Sequence, residues 1–244
     1  MSKHINDTSR PLIFLGTNLA MLKLVEVCED YAIPIAGIID DNYYGNTNVY
    51  CELPVIDSER SFADSERLEH YRNNYNFFCA VNWTPEIMEY AKRNTDKRKR
   101  FINLIKQYNL NCISLVDRTA RVSPRSKIGR NVYLDGHVMV EPSCNVGDFV
   151  TAYYNTAIGH NNTIGENCVF QRQCIVMGGN TVGDNVYFGP AVKAMKYGAK
   201  FGSGTFIHEG VYIRRGTIEN EVVSIQTLNQ SRIIHQHIIC LLYT

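Results

Sequence analysis

The chain lacks any apolar run near the roughly 20 residues needed to cross a bilayer, which argues against a helical membrane span. It lacks an excess of either charge: 25 Lys and Arg stand against 24 Asp and Glu, for a net charge of +1. Bulk electrostatics therefore favours neither nucleic acid nor an anionic membrane as partner. Its eight cysteines include no C-x-x-C pair and no dense framework, so a disulfide scaffold is excluded and a reducing, intracellular setting is expected. The opening MSKHINDTSRP has no apolar core of the secretory kind, and the expected location is cytoplasmic. The full glycine fingerprint of a dinucleotide-binding turn is also missing, leaving Gly16 as a weak nucleotide signal. What remains is ordinary globular composition, 45% apolar and 20% charged, over 244 residues, enough for one large domain or two small ones.

The first half alternates short apolar runs with amphipathic stretches. Leu12 to Leu15 reads as a buried strand ending at Gly16, and Leu19, Leu22, Val25, Val27 and Cys28 then recur at helical spacing. Pro34 to Asp40 and Phe77 to Val81 read as second and third strands. Thr84-Pro85 is a helix opening, with proline in the first turn. A further helix over about Asp96 to Tyr108 carries Phe101, Leu104, Ile105 and Tyr108 on one face. The alternation predicts a small Rossmann-like parallel sheet with helices over residues 1–110.

From about residue 112 the period changes. Val116, Val122, Ile128, Leu134, Val140, Val146, Ala152, Ile158, Ile164, Phe170, Val176, Val182 and Phe188 fall six apart without a gap. Glycine often follows, at Gly129, Gly147, Gly159, Gly165, Gly183 and Gly189. Small or β-branched residues stand four places after most of these positions. Neither a helix, with period 3.6, nor a lone strand, with period 2, explains a repeat of six. A β-helix does: each hexad supplies a short flat strand and a turn, and three hexads close a triangular coil. The apolar position is expected inside and the glycine at the corner. Between Pro190 and Lys200 the register slips by one residue, and Phe201, Ile207 and Ile213 resume it. A left-handed β-helix is thus expected over residues 111–223, with a tail over 224–244.

These motifs, over roughly residues 11 to 223, resemble the hexapeptide-repeat sugar O- and N-acetyltransferases, typified by sialic acid O-acetyltransferases and UDP-4-amino-sugar N-acetyltransferases. The resemblance implies acetyl-CoA as co-substrate, no metal, a homotrimer, and an active site between neighbouring subunits. It places the catalytic histidine in Ile158-Gly159-His160-Asn161-Asn162-Thr163-Ile164-Gly165. One coil of 18 residues beyond His160 stand Gly178 and Gly179, where a bare backbone N–H can bind a carbonyl oxygen. His160 would be the general base, Gly178 the oxyanion donor, and Asn161 the partner of the ring. Lys193, Lys196, Lys200, Arg214 and Arg215 cluster where the family binds the nucleotide end of CoA. Gly16, Asp40 and Asp41 match the turn and the Asp-Asp of the family's N-terminal domain, the expected seat of the sugar nucleotide. The residue after the histidine is commonly acidic and here is Asn161; the family's upstream asparagine is replaced by Tyr153, and its closing Gly-x-Pro-Ala is absent.

The function so implied is acetyl transfer to the amine of a nucleotide-linked amino sugar, with glycan biosynthesis as its setting. The alternatives are a sugar O-acetyltransferase or a catalytically silent β-helix that binds sugar nucleotide or assembles. His137 and His208 also lie on the array, but without the spacing of a three-histidine zinc site. His235 and His237 form an H-x-H attributed to chance. Cys144, Cys168 and Cys174 occupy small-residue slots and read as packing residues. The run Lys97 to Arg100 reads as a solvated helix face.

Overall fold

The computed structural model describes residues 4–18, 20–81 and 89–224. Leu19, the Thr84-Pro85 helix opening, and His235 and His237 lie outside the described residues. Internal contacts divide the chain into two units, Met1–Arg118 with Ile128–Leu134, and Thr119–Lys127 with Asp135–Thr244.

The first unit is a five-stranded sheet with helices. Strands β1 (Leu12–Leu15), β2 (Ile35–Ile39), β3 (Val49–Tyr50), β4 (Leu53–Asp57) and β5 (Asn76–Cys79) lie in the order β3-β4-β2-β1-β5. The sheet is not wholly parallel as expected. β3 and β4 form an antiparallel hairpin through Cys51 and Glu52, both at positive φ (48° and 65°), the conformation of a tight two-residue turn. The hairpin is hard to read from sequence because Pro54 interrupts the only apolar run that would announce it. All four residues of β1 are buried, as parallel strands covered on both faces are.

Helix α1 (Met21–Asp30) buries Met21, Leu24, Val27 and Cys28, while Leu22 is 58% exposed, so the expected apolar face was rotated. Helix α2 (Ser65–Asn74) buries only Tyr71 and has no periodic apolar signature. Its start is fixed by the Asp64 carboxylate, which accepts from the N–H of Glu66 and Arg67 at 3.0 and 3.1 Å. Helix α3 (Glu89–Tyr108) buries Phe101 and Ile105 as expected, joined by Ile102 and Arg98. The basic run on it is not a plain solvated face. Lys97 pairs with Asp40, Arg98 is buried and donates to the Val81 carbonyl, and Arg100 pairs with Glu59.

The repeat region forms the expected parallel β-helix. Every one of the thirteen hexads supplies a two-residue strand whose second member is the expected interior residue, from Leu115–Val116 to Tyr187–Phe188. Strands one coil apart pair in parallel, as Ala157↔Ile175 and Ile158↔Val176 do, and the pairs fall into three sheets, one per side. Interior aromatics stack along the axis, with the Phe170 and Phe188 rings 4.8 Å apart.

Two details of the repeat differ from expectation. The left-handed corner residue is the third after the interior position, as at Asn155 (φ 58°), Asn161 (58°) and Asn167 (55°), where asparagine is tolerated. The glycine directly after the interior position serves close approach instead: a Cβ on Gly147 would lie 2.8 Å from the backbone of Gly165 on the next coil. The register slip is also narrower than expected. Lys193–Ala194 still pairs in register with Ile175–Val176, whereas Lys200 pairs with Thr181, so the extra residue lies within Met195–Ala199.

Candidate active site

His160 lies at the corner between the strands Ala157–Ile158 and Thr163–Ile164. Because the coils stack in register, the corners of successive coils form one edge of the second unit. Read along the axis, this edge carries Glu141 and Pro142, then Gly159 and His160, then Met177 and Gly178, then Met195 to Gly198, then Arg214 and Arg215. A groove of about 510 Å³ lined by Arg121, Met139, Glu141, Pro142 and His160 opens beside it.

The His160 ring is held from two sides. Its Nδ1 lies 2.8 Å from Oδ1 of Asn161, an amide oxygen that can only accept. In the neutral ring that contact puts the proton on Nδ1 and the lone pair on Nε2. On the other side the ring lies over Gly178: a Cβ there would be 2.9 Å from Cε1 and 2.9 Å from Nε2. Glycine is required at this position because any side chain would displace the imidazole.

The backbone N–H groups on this edge show why Gly178 is a donor site. The His160 N–H donates to the Glu141 carboxylate at 2.8 Å, a side chain one coil earlier. The equivalent side chain for the Gly178 N–H would belong to residue 159, which is glycine. Among the described residues nothing accepts from the Gly178 N–H, whereas the Gly179 N–H donates to the His160 carbonyl at 2.8 Å. The site thus presents a lone pair at Nε2 beside an unclaimed N–H.

A buried asparagine ladder fixes the two corners. Asn162, wholly buried, donates to the Gly159 carbonyl at 2.6 Å and accepts from the Asn180 N–H at 2.8 Å. Asn180, 1% exposed, donates to the Met177 carbonyl at 2.7 Å and accepts from the Ala199 N–H at 2.7 Å. The sequence reading passed over both, although their signal was present: asparagine in slots that elsewhere hold small or apolar residues. It also passed over Tyr197, which the inserted residue places beside the site, its ring centroid 6.0 Å from that of His160.

The other candidates are distributed as follows. Lys196, Arg214 and Arg215 are exposed on the same edge as His160, on later coils; Lys193 is exposed on the adjoining sheet and Lys200 on the next. Arg215 is paired with Glu221, and the Arg214 guanidinium rests on the Tyr212 ring at 5.1 Å. His137 and His208 lie on a different edge from His160; the His208 ring packs on Phe206. Cys144, Cys168 and Cys174 are buried, each Sγ within 3.0–3.2 Å of a corner carbonyl, and burial pushes the Cys168 and Cys174 thiols up to about 12.

In the first unit two of the three expected substrate residues, Gly16 and Asp40, are turned inward, and Asp41 is exposed. Gly16 is buried at φ 77°, and a Cβ on it would strike Val81 and Phe101. Asp40 is wholly buried, its carboxylate taken by Lys97 at 2.6 Å, Thr17 at 3.0 Å and the Asn42 N–H at 3.0 Å. The Asp41 carboxylate accepts from the Glu59 N–H at 2.6 Å. The geometry gives Gly16 and Asp40 a structural task at the C-terminal ends of β1 and β2.

No family model matches the chain, and no curated protein matches it. Solved structures do. PerB from Caulobacter crescentus, in complex with CoA and GDP-perosamine, is 14% identical over 86% of this chain and 92% of its own, with a TM-score of 0.55. A histidine-to-alanine variant of GDP-perosamine N-acetyltransferase from the same organism is 13% identical over 89% and 95%, with a TM-score of 0.59. WeeI from Acinetobacter baumannii AYE is 12% identical over 88% and 97%, with a TM-score of 0.60. At this identity the likeness is one of fold: an α/β sheet followed by a left-handed β-helix.

Proposed function

We propose that the chain is an acetyl-CoA-dependent N-acetyltransferase acting on a nucleotide-linked amino sugar, with its acyl site on the edge that carries His160 and Gly178. One observation carries this reading: the His160 ring lies over Gly178, its Nε2 2.9 Å from where a Cβ would stand, and among the described residues nothing accepts from the Gly178 N–H. Support comes from the fold, since the Caulobacter proteins that share it were seen with CoA and GDP-perosamine. Exposed Lys196 and Arg214 lie further along the same edge and Lys193 beside it, suited to the phosphates of CoA.

In this reaction the sugar amine attacks the thioester carbonyl, and its proton passes to Nε2 of His160. The Nδ1–H bond to Asn161 keeps the tautomer that leaves Nε2 free. The oxyanion formed at the carbonyl accepts from the Gly178 N–H. When the tetrahedral species collapses, the carbon–sulfur bond breaks and the imidazolium returns its proton to the thiolate, giving amide and free CoA. Gly16 and Asp40 then serve the sugar nucleotide by shaping the turns after β1 and β2, and Asp41, exposed after β2, is the member of the set that can meet it directly.

The reading includes a homotrimer with the acyl site at each subunit boundary. Met139, Met177 and Tyr212, 43%, 38% and 45% exposed beside the edge, are apolar surface that such a boundary would cover. The test is a panel of UDP-, dTDP- and GDP-linked amino sugars with acetyl-CoA, read as free thiol and as N-acetylated product. A trimeric mass by light scattering is expected. No thiol release with any amino sugar, from a protein that binds sugar nucleotide, would leave a silent binding module.

A further inference from the structure

Tyr197 owes its position to the one break in the hexad register. The extra residue within Met195–Ala199 lifts it out of the corner and back over the preceding coil. There its ring lies against Gly179, whose φ is 72°: a Cβ on Gly179 would sit 2.8 Å from Cζ and 3.1 and 3.2 Å from the two Cε atoms. The Gly198 N–H donates to the Gly178 carbonyl at 3.3 Å, tying the insert to the residue that offers the unclaimed N–H. Tyr197 is nevertheless 60% exposed. One part of the ring is seated on glycine, and the rest faces open space on the edge.

We infer that Tyr197 is a specificity-determining residue of the acyl site, an aromatic platform against which the arm of the CoA thioester lies; this rests on the acyl-transfer reading above. A thioester carbonyl bound at the Gly178 N–H has one short substituent and one long one. The acceptor approaches on the side of His160, where the groove beside Glu141 opens. The long arm leaves along the edge in the other direction, toward exposed Lys196 and Arg214. Coils are spaced by roughly 4.8 Å, so the first side chain it meets is that of Tyr197, one coil beyond Gly178, with Arg214 a coil further. The arm alternates amides with short alkyl stretches, and an aromatic face with a hydroxyl tip suits both.

The experiment compares three acetyl donors: acetyl-CoA, S-acetylpantetheine, which has the arm without the nucleotide, and ethyl thioacetate, which has neither. Tyr197→Ala is expected to lower kcat/KM by roughly 3–10-fold for the first two and to leave the third unchanged. Tyr197→Phe keeps the ring and should stay near wild type. Lys196→Ala and Arg214→Ala are expected to affect acetyl-CoA alone. Isothermal titration with CoA gives a readout without turnover, on which Tyr197→Ala should weaken binding by a similar factor. If wild type binds CoA and Tyr197→Ala binds it equally well, the platform is refuted and the acyl-transfer reading stands. If ethyl thioacetate suffers as much as acetyl-CoA, Tyr197 acts on the His160 corner instead and the platform is again refuted. A wild-type protein that binds no CoA fails on the acyl-transfer reading itself.

Discussion

Gly178→Ala is the smallest change that tests the acyl site. The added methyl would lie 2.9 Å from Cε1 and Nε2 of His160 and 2.9 Å from the His160 carbonyl oxygen, where ordinary contact begins at 3.4 Å. The φ at Gly178 is not in the left-handed region, so alanine suits the backbone and the cost is steric. The exposed imidazole yields first, moving by about half an ångström or more, and the carbonyl contact opens by a few tenths. Overpacking of this kind costs about 1–3 kcal/mol, against a typical stability of about 5–15 kcal/mol, so the variant folds. Catalysis is more sensitive, since a misplacement of about 1 Å costs roughly 10²-fold. A shift of about half that size should lower turnover by about 10-fold or more, and Gly178→Ala combined with His160→Ala should be no slower than His160→Ala alone, because both remove one positioned base. The assay is thiol release from acetyl-CoA in native protein, where the buried Cys168 and Cys174 thiols, pushed up to about 12, contribute little background. A folded Gly178→Ala variant with wild-type kcat would refute the pairing of imidazole and backbone N–H.

His160→Ala should lower turnover by roughly 10²–10⁴-fold while CoA affinity by calorimetry stays within about twofold; undiminished turnover would remove the histidine from the mechanism. Asn162→Ala strands the Asn180 N–H in the interior and leaves the Gly159 carbonyl with only the weak Cys144 thiol at 3.0 Å. A loss of about 1–3 kcal/mol is expected on urea denaturation, and an unchanged midpoint would show that the ladder bears no stability. Asn161→Asp keeps a left-handed corner that aspartate tolerates and adds charge to the Nδ1 hydrogen bond, so kcat/KM should rise near neutral pH. Glu141→Gln should change the rate far less, because that carboxylate holds the His160 main chain at 2.8 Å and not its ring; a larger loss from Glu141→Gln would reverse the assignment.

What was legible in the sequence follows from how each element is stabilised. The β-helix repeats one burial problem thirteen times, so an interior slot that tolerates only Val, Ile, Leu, Phe or Ala prints itself at a fixed period. The first unit has no such redundancy. β4 (Leu53–Asp57) carries Pro54, and α2 is held by the Asp64 cap and a single buried Tyr71, neither of which leaves an apolar rhythm. The rotated face of α1 has the same origin: with Leu22 and Leu24 both apolar, spacing alone does not decide which of them turns inward. Asp40 was legible as a residue type and not as a role. Its partner Lys97 stands 57 residues away on α3, a separation no local pattern encodes.

The repeat also explains why its own exceptions gather at one place. In an array where every corner solves the same problem, a corner that departs from the solution must be held by something other than the repeat. On the edge of His160, Gly159, one of the repeat's regular glycines, offers no side chain to cap the Gly178 N–H. Two departures fall there as well: Asn162 and Asn180, polar in interior slots, and the extra residue within Met195–Ala199. Each carries a stability cost that regular hexads avoid. Buried amides must find partners at both ends, and the extra residue must be housed between strands that keep their pairing. The asparagines recover that cost by fastening the corners from within, which leaves the outer backbone unpaired at Gly178 yet fixed in place. A backbone donor that is rigid and unclaimed is what a developing oxyanion requires, since nothing must reorganise at the moment of reaction. The same fastening predicts that Asn180→Ala, which touches neither His160 nor the groove, lowers kcat more than KM by loosening the Met177–Gly178 backbone; equal loss in both would show that the ladder serves only the fold.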